Sequence, residues 1–323
     1  MSEPSNGPAH QRHDRRWHQG MRGVLWVCAG ALAIHLIPLF LPRNMPEQEL
    51  AIARATPDIN SRLTFLVPLK TNDKATAADL RAAAELLREG APAEAHDLAL
   101  EAERRDPTAV ETQLLLARIC DLERMGRCVE QSLRKANQLA PTDARADLLR
   151  ADLSEEKGDF AGAMEALARA HQRIPGDVQV GVRYGRLLSR LRQPDEALKV
   201  FASLEGRLPP ARLLVERGLV FGKEGRGREA VKMLQQAVQA DPMLAEGHFQ
   251  LGLAWAQLGN DDAAEEALRR ADRLNVTDTR ALATLCTLQV KSGRLEGARQ
   301  TRSDLERRFP QRMDAIREQC RLP

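Results

Sequence analysis

Five cysteines (Cys28, Cys120, Cys128, Cys286 and Cys320) and seven histidines offer this chain its widest range of chemistry. Their spacing narrows that range. No two cysteines make a C-x-x-C pair and no histidines stand at zinc-finger spacing, so a fold built around a metal is not expected. His10, His13 and His18 lie in a polar, basic stretch and are not spaced to share a helix face four residues apart. His171 and His248 have no evident partners in the sequence. The chain has no P-loop, GxGxxG, GxSxG or HExxH motif. No catalytic centre, cofactor or metal is therefore expected. Recognition is left as the chemistry to look for.

Net charge is +3, from 48 basic and 45 acidic residues. That balance argues against nucleic acid as a partner. The charges are interspersed, as on solvated helix faces. Aromatic residues make up 3% of the chain, with one tyrosine. Alanine, leucine, arginine and glutamate dominate, all strong helix formers. Runs of alternating β-branched residues are few, so the class is all-α.

Prolines mark a period: Pro107, Pro141, Pro175, Pro209, Pro242 and Pro310 follow one another at 34, 34, 34, 33 and 68 residues. Val276 stands where the long interval would be halved. Glycines recur ahead of these marks, at Gly90, Gly126, Gly158, Gly225, Gly259 and Gly293, with Arg192 in the remaining repeat. Small residues keep the same register. One row is Ala83, Ala117, Ala151, Gly185, Gly218, Gly252 and Cys286, and a second is Ala95, Val129, Ala163, Ala197, Ala230, Ala264 and Ala298. A third runs Ala102, Ala136, Ala170, Leu204, Ala237, Ala271 and Leu305.

Each mark has a physical reading. Glycine ends a first helix because it accepts the left-handed conformation past a helix C-terminus. Small rows on two antiparallel helices let them approach closely. Proline stops the second helix and can open the next. The pattern resembles the tetratricopeptide repeat, most closely at Leu251-Gly252, Trp255, Gly259, Ala264, Leu268 and Ala271. The resemblance covers residues 76–312 in seven copies. It implies a right-handed superhelix of helix-turn-helix units. Residues 313–323 read as an amphipathic capping helix, expected because the last repeat would otherwise expose its apolar face.

In this family the first helix of each hairpin lines a concave, partner-binding face. The resemblance therefore implies a groove containing Asp152 and Glu155, then Arg183, Arg186 and Arg190, then Arg212, Val215 and Leu219, then Phe249 and Leu253. It runs from acidic to basic to apolar. A peptide or helix could lay an apolar face on Val215, Leu219, Phe249 and Leu253 and acidic groups on the arginines. The competing reading has the acidic and basic steps pair with each other and the apolar residues serve inter-repeat packing. The Asn and Lys set of the family's chaperone-tail binders is absent at the matching places. A protein or peptide is the expected partner, and a small-molecule substrate is not.

Cys120 and Cys128 flank the turn of the second copy, one on each helix. A disulfide in an oxidising compartment fits that placement, but two small buried apolar residues are the favoured reading. Cys286 and Cys320 occupy equivalent places one repeat apart, which is normally too far for a bond.

The N-terminal region reads as a membrane anchor. Residues 1–22 form a basic tail. Gly23–Leu41 is apolar and close to the ~20 residues needed to cross a bilayer, so 23–42 is assigned to a signal-anchor helix. Basic residues concentrate before it, which places the N-terminus in the cytoplasm and the repeats across the membrane. Cleavage after Ala31-Leu32-Ala33 is the rival reading, disfavoured because apolar residues continue to Leu41. Residues 43–75 read as a linker, with Leu63-Thr64-Phe65-Leu66-Val67 β-prone and expected to pack on the first repeat. The whole is expected to be a single-pass inner-membrane protein of a Gram-negative-like bacterium with a periplasmic repeat domain. It would act as a scaffold for an envelope complex serving cytochrome c maturation, secretion or pilus assembly. The alternatives are a cytoplasm-facing receptor or a regulatory subunit of a separately encoded enzyme.

Overall fold

The structure, a computed structural model, describes residues 45–322. The basic tail and the predicted span 23–42 lie outside the described residues. Among the described residues no helix is long and apolar enough to cross a membrane, and every regular element is helical.

The segment read as a linker is folded. It forms α1 (Pro46–Ala55), α2 (Ile59–Leu66) and a 3-10 turn (Val67–Thr71). The β-prone run Leu63–Val67 is helical because Asp58 caps Ser61 N–H and Leu66 and Leu69 are buried from that helical register. Seven antiparallel hairpins follow: α3 (Ala77–Leu87) with α4 (Pro92–Arg105), α5 (Val110–Leu122) with α6 (Gly126–Leu139), α7 (Arg145–Glu156) with α8 (Phe160–Arg173), and α9 (Val178–Arg190) with α10 (Pro194–Ser203). Then come α11 (Pro210–Lys223) with α12 (Gly227–Ala240), α13 (Ala245–Gln257) with α14 (Asp261–Leu274), and α15 (Arg280–Lys291) with α16 (Leu295–Arg308). A short α17 (Met313–Gln319) closes the series.

Local chemistry sets the helix starts. Thr76 and Asp79 form a reciprocal capping box on α3, and Asp159, Asp177 and Asn260 each accept from a first-turn N–H of α8, α9 and α14. Pro92, Pro194 and Pro210 stand at the first helical position, where the missing N–H costs nothing. The three small rows are buried between the helices. At Gly185, Gly218 and Gly252 a Cβ would lie 2.7–2.8 Å from the side chains of Phe201, Leu234 and Leu268, so the large residue of one helix fills the space left by the glycine of the other.

The turn glycines only partly follow the expectation. Gly158, Gly225, Gly259 and Gly293 take positive φ. Gly90 does not; its missing side chain instead leaves room for Ile59 of α2. Gly126 opens α6, and Arg124, 17 residues before Pro141, takes the left-handed turn with φ 58°. Arg192 does the same in the fourth hairpin with φ 61°.

The chain divides at Leu139–Ala140 into two compact units. In the first, α1 and α2 pack on the first hairpin through Leu50, Ala53, Leu66, Leu69, Leu80 and Leu87. Arg105 ties the start of that hairpin down, donating to the carbonyls of Lys70 (3.0 Å), Asn72 (2.9 Å) and Ala75. Cys120 and Cys128 are joined by a disulfide across the second hairpin, with Cα atoms 5.8 Å apart. The reading of two plain buried apolar residues is therefore replaced.

In the second unit, successive hairpins stack through shared clusters such as Val215, Val231, Leu234 and Leu251. Ile316 of α17 is buried against Leu285 and Leu305. Cys286 and Cys320 are bonded, with Cα atoms 5.7 Å apart, contrary to the expected separation. The reason is the length of α17. It ends at Gln319, so Cys320 does not sit at a matching helical position but turns inward beside Ala298. Thr287 of α15 donates to the carbonyl of Gln319 and holds the same junction.

Candidate binding groove

The first helices of the last five hairpins, α7, α9, α11, α13 and α15, line a series of adjoining concavities in the second unit. The largest, about 760 Å³, is bordered by Asp152, Glu155, Arg183, Arg186, Arg190 and Lys223. A second, about 260 Å³, shares Arg186 and adds Arg212, Val215, Glu216 and Glu246. A third, about 130 Å³, runs from Lys223 past Leu219 to Leu253, and a fourth, about 650 Å³, carries Leu253 and Phe249 toward Arg280, Thr284 and Lys291. All ten residues placed in the groove by the repeat register border these concavities.

Their chemistry differs from the simple acidic–basic–apolar sequence. Arg183 reaches back one repeat, to Asp152 at 2.6 Å and Glu155 at 3.0 Å. Partial burial opposes its charge, but those two carboxylates hold its pKa above the usual arginine range. Arg186 reaches forward to Glu216 and meets both carboxylate oxygens, one through Nε at 2.8 Å. That two-point hydrogen bond raises its pKa as well. The acidic and basic steps therefore do pair across repeats, and neither arginine is open to a partner without exchange.

Arg190 is placed differently. Its guanidinium lies 3.7 Å from the centroid of the Phe160 ring, exposed and without a carboxylate partner among the described residues. Lys223, which the register reading did not single out, stands across the same cleft. Packing around its ammonium, followed by the nearby charges of Arg190 and Arg186, pushes its pKa down. These two cations form the unneutralised part of the cleft.

The apolar part is smaller than expected. Val215 is 3% exposed and belongs to the core between hairpins, so it supports the groove floor instead of offering a surface. Leu219, Phe249 and Leu253 remain partly open. Phe249 lies under the guanidinium of Arg280, 4.8 Å from the ring centroid. Arg280 itself pairs with Asp278 at 2.8 Å and Glu246 at 2.9 Å. The placing rule that selected Phe249 and Leu253 in the sixth copy also selects Arg280, Ala283 and Thr287 in the seventh, and all three line the fourth concavity. Lys223 lies one place past the rule's last position, which is why a strict register missed it.

Among the described residues one group of potential metal donors is brought together, His96, Cys120 and Cys128 in the first unit, well apart in sequence from the groove.

Comparison with known proteins follows the same lines. Tetratricopeptide-repeat family profiles match residues 127–178, 154–214 and 215–275. No curated protein matches the chain. Among solved structures it is similar to PilW, a type IV pilus biogenesis factor, at 19% identity and a TM-score of 0.48 over 64% of this chain and 97% of PilW. It is similar to PilF of Pseudomonas aeruginosa at 16% identity and a TM-score of 0.44, over 67% of this chain and 99% of PilF. YrrB, a TPR protein with a peptide-binding site, shares 19% identity at a TM-score of 0.41, over 58% of this chain and 96% of YrrB. With hairpins of that period, small rows buried in register and repeat profiles matched across the middle of the sequence, this chain is a tetratricopeptide-repeat protein.

Proposed function

We propose that the chain is a membrane-anchored scaffold whose groove holds an extended or helical segment of a partner protein during assembly of a cell-envelope complex. Pilus assembly, secretion and cytochrome c maturation are the settings this reading covers. The observation that carries it is the juxtaposition of two unneutralised cations, Arg190 and Lys223, with the half-open apolar stretch Leu219, Leu253 and Phe249. A segment with an acidic residue or C-terminal carboxylate at one end and an apolar face at the other would complement it. Such a ligand need not displace the Arg183 and Arg186 pairs.

The proposed topology keeps 1–22 in the cytoplasm, 23–42 in the inner membrane and the repeats in the periplasm. Two cysteine pairs at bonding distance support an oxidising compartment for the repeats. The chain is proposed to act by binding and not by catalysis.

The groove assignment is tested by a photo-crosslinking residue at Leu253, with one at Gln236 on the exposed face of α12 as reference. A partner is expected to crosslink through Leu253 and to be lost when Arg190→Glu and Lys223→Glu are combined. Equal capture from both positions, or capture unaffected by the charge reversals, sinks the assignment. A reporter fused after residue 323 that is active only in the cytoplasm sinks the topology.

A further inference from the structure

The two disulfides are not equivalent. Cys286 and Cys320 are both fully buried among apolar neighbours, with the Cys286 sulfur against the backbone carbonyl of Ala298 at 3.2 Å. Cys120 and Cys128 have an imidazole beside them. His96 of α4 points its Nε2 at the Cys120 sulfur, 4.0 Å away, and its Nδ1 meets a carboxylate oxygen of Glu123 at 2.7 Å. Nε2 and both sulfurs lie within 4.8 Å of one another.

Four side chains from three helices and a turn converge here. Nδ1–H donating to Glu123 leaves the free electron pair on Nε2, aimed at the sulfurs. A carboxylate that orients the far side of an imidazole is the arrangement that fixes a metal-binding histidine. Donor atoms in a tetrahedral zinc site sit 2.0–2.3 Å from the ion, so about 3.3–3.8 Å from each other. The histidine-to-Cys120 spacing is already close to that. Cys120 is fully buried and fixed, whereas Cys128 is half-buried in the first turn of α6. Rotation of Cys128 alone would open the sulfur pair. His96 and Glu123 are 18% and 19% exposed, so the site is shielded yet reachable.

We propose that Cys120, Cys128 and His96 form a soft-cation site, for Zn²⁺ or a similar ion, that exists when their disulfide is reduced. A dithiol reductant supplies two electrons and two protons: the Cys120–Cys128 bond breaks, two thiols form, and the reductant's sulfurs join as its own disulfide. Zn²⁺ then replaces both thiol protons, releasing them, and takes Nε2 as its third ligand. Water completes four-coordination. Glu123 is a positioning residue that holds the imidazole. Reduction would thus exchange a covalent clasp across the second hairpin for a metal clasp.

The test uses the full chain, oxidised or reduced, with Zn²⁺ alone in competition against a chromophoric chelator, and Co²⁺ as spectroscopic probe. The reduced chain is expected to bind one ion with thiolate-to-cobalt charge-transfer absorption, and the oxidised chain none. Cys128→Ser should abolish that absorption. His96→Ala and Glu123→Gln should each weaken zinc by about tenfold or more with helicity unchanged. Cys286→Ser combined with Cys320→Ser should leave binding intact. No binding by the reduced chain, binding that follows Cys286 and Cys320, or affinity indifferent to His96→Ala would overturn the proposal.

Discussion

Arg186 of α9 grips Glu216 of α11 by two hydrogen bonds across successive hairpins, one of them 2.8 Å long, and the Glu216 side chain is only 7% exposed. The pair stitches two repeats together at the groove floor. Removing the arginine strands a buried carboxylate, which costs more than the pair itself contributes. Arg186 is more than half exposed, so solvent softens the loss. Arg186→Ala is expected to destabilise the second unit by about 2 kcal/mol in chemical denaturation. Combining it with Glu216→Gln should recover part of that. Equal losses in the single and double variants would show that the pair is not coupled.

Arg124 and Arg192 hold left-handed backbone at the place glycine takes in Gly158, Gly225, Gly259 and Gly293. A side chain costs about 1–2 kcal/mol there, offset in part by glycine's larger unfolded entropy. Arg124→Gly should therefore stabilise by about 0.5–1 kcal/mol. Arg192→Gly should gain less, because Arg192 also donates to the carbonyl of Lys223 at 2.7 Å. Gly259→Ala should lose about 1 kcal/mol. Denaturant midpoints at constant slope measure all three, and a stabilising Gly259→Ala would contradict the assignment.

His171 carries a buried Nδ1 with no hydrogen-bond partner among the described residues, its ring 5.8 Å from that of Tyr184. Burial first, then the nearby Arg207, push its pKa below the ordinary value of 6.5. The unfolded chain therefore binds this proton more tightly than the folded one. Its contribution is fully present above pH ~6.5 and is lost as pH falls through the lower folded value. His171→Phe should flatten the stability profile between pH 5 and 7, roughly the window of an unfolded histidine. An unchanged slope in urea titrations across that range would assign the dependence elsewhere.

Cys286 and Cys320 close a separation of 34 residues and fasten α17 to α15. On loop-closure entropy such a link contributes about 3–4 kcal/mol. Replacing both by serine should expose α17 to amide exchange before the hairpins around Gly185 and Gly218 lose protection. Simultaneous loss throughout the second unit would show that the cap is not a separable element.

The sequence by itself determined the helical class, the 34-residue period and the three small rows. These follow from local rules: residue volume at a helix crossing, proline at a turn and side-chain caps. The same register also named ten residues that border one line of concavities, because a superposable hairpin places like positions alike. Only tertiary structure decided what those residues do there. Arg183 and Arg186 are spent on carboxylates 28 to 31 residues away, Val215 is core, and Lys223 joins Arg190 as an open cation. Tertiary packing also made helices of the β-prone Leu63–Val67, since burial of Leu66 and Leu69 outweighs intrinsic preference. It assigned the left-handed turn of the second hairpin to Arg124, and it brought Cys320 to Cys286 and His96 to Cys120. A repeat register fixes which face a residue occupies; which neighbour neutralises, covers or bonds it depends on distances that a linear period does not contain.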